Sequence, residues 1–148
     1  MILAFAGLAI DARTALRGCV RRGSHERATA ARWIAANAMA ARGARIVVEG
    51  EPPEEASVLG LRAASFTSML AALAAVPALV DTMALPAHWR LALRALGLPS
   101  LDRSPSEALA EGVCVLSPDG TAPCELAVDI APHGYRVRVA APSRVLPA

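Results

Sequence analysis

Fifteen arginines, thirteen carboxylates, three histidines and three cysteines make up the stock of ionisable chemistry in this chain, beyond its hydroxyls. No lysine is present. A Schiff-base mechanism and a phosphate-binding P-loop lysine are therefore excluded. Arginine retains one strong aptitude, since its planar fork grips two phosphate or carboxylate oxygens at once. The histidines are His25, His88 and His133. Of these, His88 sits in L-P-A-H-W at a strand-to-helix junction and is the best-placed weak candidate for a proton acceptor; it also reads as a residue that caps or packs there. Cys19, Cys114 and Cys124 are odd in number, widely spaced and free of any C-x-x-C pairing. They read as reduced thiols filling space in a cytoplasmic protein rather than as zinc ligands or a disulfide framework, so no metal and no resident cofactor is expected.

A length of 148 residues suits one domain with a sizeable core. Hydrophobic residues make up 55% of the chain, much of it alanine, which favours helix but buries little area. Aromatics are only 3% and the arginines are dispersed, which argues against a nucleic-acid partner. Residues 1–43 are expected to form an N-terminal helical segment ahead of an α/β domain over residues 44–148. Met1 to Ile10 is apolar but stops at Asp11, too short to span a bilayer and without the flanks of a signal peptide. Arg13, Arg17 and Arg21 then recur at helical spacing. That stretch reads either as a membrane-interfacial helix or as a docking helix with a solvated basic face.

Ser24 is the expected N-cap of a helix over Ala28 to Arg42, closed by Gly43. Strands are expected at Arg45 to Gly50, Val58 to Leu61 and Ala78 to Ala84, with a helix over Ser65 to Ala75. Pro86 should open a helix over His88 to Leu96 that Gly97 ends, and a short helix should span Ser106 to Glu111. Val113 to Leu116, Glu125 to Ile130 and Tyr135 to Ala140 complete the strands. The last two should pair antiparallel, and Y-R-V-R-V should show one face to solvent. The expected fold class is α/β: a small mixed β-sheet sandwiched by helices.

Three stretches carry a resemblance. Val58 to Pro77, V-L-G-L-R-A-A-S-F-T-S-M-L-A-A-L-A-A-V-P, resembles the strand, turn and helix bearing the N-H-x-S-x-x-D motif of PlsC-type glycerolipid acyltransferases. Ser65 and Phe66 occupy its small and aromatic places, but Ala63 stands for the histidine and Ser68 for the aspartate. Gly97 to Arg103, G-L-P-S-L-D-R, is similar to that family's G-x-x-F-I-D-R. Val115 to Thr121, V-L-S-P-D-G-T, is similar to the start of its F-P-E-G-T-R-S: Pro118, Gly120 and Thr121 match, and Asp119 replaces glutamate. Ala122 and Pro123 then replace arginine and serine. The resemblance runs from about Arg32 to Thr121 in family order, and a block after Thr121 is missing.

It implies a glycerol-phosphate-acyltransferase-like fold in which the family's histidine takes a proton from a glycerol hydroxyl and the aspartate orients the imidazole. Ala63 has no proton-accepting atom, Ser68 carries no charge, and none of the three histidines has an aspartate five residues on. By matching position Arg103 inherits contact with a substrate phosphate. The implied function is a shortened homologue without the catalytic pair that binds a membrane lipid, a lysophospholipid, acyl carrier protein or a related acyltransferase. The alternatives are a divergent active enzyme drawing on acyl-CoA or acyl carrier protein as donor, and a structural subunit of an acyltransferase complex. The implied location is cytoplasmic, peripheral on the inner face of the cell membrane.

Overall fold

The computed structural model describes residues 23–62, 65–101, 104–118, 122 and 124–140. The helical and interfacial readings of residues 1–22 lie outside them. In chain order the elements are α1 (Ser24–Ala41), β1 (Arg45–Glu49), β2 (Val58–Leu61), α2 (Phe66–Ala75), β3 (Ala78–Val80), α3 (Ala87–Leu96), α4 (Pro105–Ala110), β4 (Cys114–Ser117), β5 (Cys124–Ala131) and β6 (Gly134–Ala140). Among the described residues, six strands form one mixed sheet in the order β1-β6-β5-β2-β4-β3. Every pairing is parallel except β5–β6, which is antiparallel around the two residues Pro132 and His133. The α/β class and the antiparallel final pair agree with the sequence.

The two halves of the sheet are covered differently. Leu59, Leu61, Leu79, Val80, Val115 and Leu116 are buried whichever way they point, so β2, β4 and β3 read as continuous apolar runs closed on both faces. On β5 and β6 burial alternates: Leu126, Val137 and Val139 turn inward while Glu125, Ala127, Asp129, Arg136 and Arg138 are exposed. On that open face Arg136 pairs with Glu49 at 3.2 Å and Arg138 with Asp129 at 2.6 Å. The expected sandwich therefore holds for one half of the sheet only. In the other half the alternating sequence leaves one face polar.

From Met69 onward helix α2 is apolar all round and is buried accordingly: Met69, Leu70, Ala71, Ala72 and Leu73 are almost inaccessible. Helix α1 lies against it through Ala31, Ile34, Ala35 and Met39, where the alanines permit close approach. Arg42 of α1 reaches the Thr67 hydroxyl at 3.1 Å, and Arg32 reaches the Ala74 carbonyl at 3.3 Å.

Helix ends follow the sequence closely. Gly43, at φ +70°, donates to the Ala40 carbonyl and Ala44 donates to the Met39 carbonyl, the paired bonds that close a helix on a left-handed residue. Gly97 and Leu98 close α3 in the same way. Two expectations need correction. Ser24 is the buried first residue of α1, not its cap; Gly23 holds the cap position without a side-chain bond. The third strand is not Ala78 to Ala84 but stops at Val80. The Asp81 carboxylate accepts from the Met83 amide and folds Thr82–Ala84 into a 3-10 turn, a local bond that outcompetes the ladder.

Candidate functional site

Strands β2, β4 and β3 are adjacent and parallel, so their carboxyl ends reach one edge of the sheet. In open α/β sheets that edge is where ligands collect. All three resembling stretches leave from it. Arg62 follows β2 and Pro118 follows β4. Ser100 makes a parallel bridge to Val80 at the end of β3, with the Leu101 amide donating to the Val80 carbonyl at 2.9 Å. The Arg27 guanidinium of α1 donates to the Ser100 carbonyl at 2.7 Å, which ties that segment down from the far side.

Ala63, Arg103, Asp119, Gly120 and Thr121 lie outside the described residues. Ser68 and Ser65 are described. Ser65 is the N-cap of α2, and its hydroxyl accepts from the Ser68 amide at 3.1 Å. The Ser68 hydroxyl lies 2.9 Å from that of Ser65 and is 9% exposed. This position, where the resembled family has its aspartate, thus holds a neutral hydroxyl pair that completes a helix cap. It can donate or accept a hydrogen bond, but it cannot balance an imidazolium.

His88 is the second residue of α3 and is exposed. It neither caps the helix nor is buried; its ring meets neighbouring Trp89 edge-on, centroids 6.3 Å apart. Trp89 in turn packs edge-on against Phe66 at 6.0 Å, so the start of α3 is docked on the start of α2. The aromatic place of the resembling motif is filled and used for packing.

Sequence reasoning passed over Arg62. It is exposed at the end of β2 and lines an open groove of about 410 Å³ where β5 runs on past β2. Glu125 and Asp129 share this groove, giving it a charged wall. The signal available was a lone arginine directly after an apolar strand, L-G-L-R. Cys114 and Cys124 are not in a disulfide, and burial, with Cys114 nearby, pushes the Cys124 thiol above its ordinary range. That holds Cys124 in the protonated, unreactive form. Among the described residues no group of three or more His, Cys, Asp or Glu is arranged to hold a metal ion, and no helix is long and apolar enough to cross a membrane.

The chain matches no protein-family model, no curated protein and no solved structure.

Proposed function

We propose that the protein is a PlsC-like acyltransferase homologue that has lost the His/Asp pair and binds a phosphate-bearing lipid or lysophospholipid without transferring an acyl group. The observation that carries this reading is Ser68. In the third position of α2, at the carboxyl edge of β2, a buried hydroxyl bonded to the helix cap stands where an orienting carboxylate would be required. The sequence at position 63 supplies alanine in place of the base. Losing a general base costs about 10²–10⁴ in rate, and losing its orienting partner adds to that. Binding needs neither group. It needs a cation for the headgroup: Arg62 directly follows β2, and Arg103 comes three residues in sequence after Ser100, which bridges to the end of β3.

The test has two arms. Purified protein incubated with acyl-CoA and lysophosphatidic acid is expected to give no transfer above background. Vesicles containing phosphatidic acid are expected to retain it better than phosphatidylcholine vesicles. An arginine–phosphate contact contributes about 1.5–3 kcal/mol, so Arg103→Ala should weaken retention roughly 10- to 100-fold. Turnover that disappears in His88→Ala would overturn the loss of catalysis, and equal retention on both vesicle types would overturn phosphate recognition.

A further inference from the structure

Strand β1 is an edge of the sheet. It pairs with β6 on one side and, among the described residues, with nothing on the other. Exposed edges invite pairing with another strand, and proteins usually blunt them with lysine, proline or a bulge. R-I-V-V-E has no proline and no lysine, and its central residues Val47 and Val48 are 49% and 44% exposed.

We propose that β1 pairs antiparallel with β1 of a second copy of this chain, about a two-fold axis through Val47, to give a dimer with one continuous sheet. This interface is independent of the lipid-binding reading. Two observations set which backbone groups face outward. Arg45 faces Gly134 and its amide donates to the His133 carbonyl at 2.8 Å, so Arg45, Val47 and Glu49 turn their backbone groups toward β6. By alternation Ile46 and Val48 turn theirs out of the sheet. Centring on Val47 sets Ile46 opposite Val48 of the second copy and Val48 opposite its Ile46, both as hydrogen-bonded pairs. All four outward amides and carbonyls on each edge are then satisfied.

The side chains agree with that register. Val47 meets Val47, and Arg45 meets Glu49 twice, all in the non-hydrogen-bonded positions where side chains approach most closely. The strand is self-complementary about its centre, as a two-fold interface requires. Faces also match: Arg45, Val47 and Glu49 lie on the open polar face, while Ile46 and Val48 share the inward face with Tyr135 and Val137. A five-residue strand spans only about 17 Å, so the association is expected to be concentration-dependent rather than permanent.

Sedimentation of the full chain over about 1 μM to 1 mM tests this, a range in which small interfaces titrate. The wild-type chain is expected to shift from monomer to dimer. Arg45→Glu sets carboxylate against carboxylate and Glu49→Arg sets guanidinium against guanidinium. Each variant alone should dimerise at least about 10-fold more weakly, and an equimolar mixture should recover dimer because both contacts are again of opposite charge. Glu49 also bonds Arg136, so far-UV circular dichroism of each variant accompanies the measurement. In a second readout, Val47→Cys in a Cys19→Ser background should cross-link on mild oxidation, since directly opposed non-hydrogen-bonded residues lie within disulfide reach. Val48→Cys in the same background should not. A wild-type chain that stays monomeric, a mixture no tighter than its components, or cross-linking favoured at Val48 would each overturn the proposal.

Discussion

Gly134→Ala should be far more damaging than its single methyl group suggests. Gly134 begins β6 at φ +157°, and a Cβ there would lie 1.9 Å from the Arg45 carbonyl oxygen and 2.4 Å from the Arg45 nitrogen. Both are backbone atoms of the neighbouring strand, so no side chain can swing aside. Strands β1 and β6 must part by roughly 1 Å before the contact becomes tolerable. That movement breaks the Arg45 amide's bond to the His133 carbonyl and strains the next rung of the ladder, at about 1 kcal/mol each. The backbone region unfavourable to L-residues adds about 1–2 kcal/mol. The total is about 3–4 kcal/mol, a large share of the roughly 7–20 kcal/mol typical for a chain of this length. Urea denaturation followed by circular dichroism would show it as a midpoint lowered by about 2 M, for an m-value near 2 kcal/mol/M. Gly43→Ala is the internal control. It has φ +70° but open space around the added methyl, so only the backbone term of about 1–2 kcal/mol remains. Equal losses in the two variants would refute the steric argument.

Ser65→Ala should destabilise by about 1 kcal/mol, because the cap of α2 is lost and the buried Ser68 hydroxyl loses its partner; thermal unfolding would detect this as a shift of a few degrees. The buried Cys124 thiol is pushed above its ordinary range, so its contribution to stability is fully present below about pH 9, the unfolded value, and is lost as pH rises through the folded value. Urea midpoints measured from pH 7 to 10 should therefore fall at the alkaline end, and Cys124→Ala should flatten that fall. A thiol reagent at neutral pH should label half-buried Cys114 well before Cys124.

Local chemistry made some elements legible in the sequence and left others hidden. Gly43 and Gly97 mark helix ends because few residue types tolerate a left-handed backbone, and both stand where the sequence places them. Y-R-V-R-V announced a strand with one wet face because its period is two. The end of β3 was hidden because V-D-T-M continues an apolar strand on paper, and only the Asp81 carboxylate's bond to the Met83 amide turns the chain. Sheet order was equally hidden. Nothing in R-I-V-V-E says that its neighbour lies some ninety residues onward in β6, or that its other side is an edge among the described residues. At the candidate site the substitutions at 63 and 68 are read from the sequence itself. The structure adds that Ser68 serves the helix cap and that Arg62 borders a groove.

The pairing of β1 with β6 also sets a timetable for the nascent polypeptide. Strand β1 finds this neighbour only after β6, some ninety residues onward, has been synthesised, whereas β5 and β6 can zip together across two residues as soon as both have emerged. Until β6 emerges, then, the stretch from Arg45 to Glu49 waits without that partner. A polypeptide cut short before Gly134 would leave that side of the segment without its β6 partner, an exposed strand margin of the kind that favours aggregation.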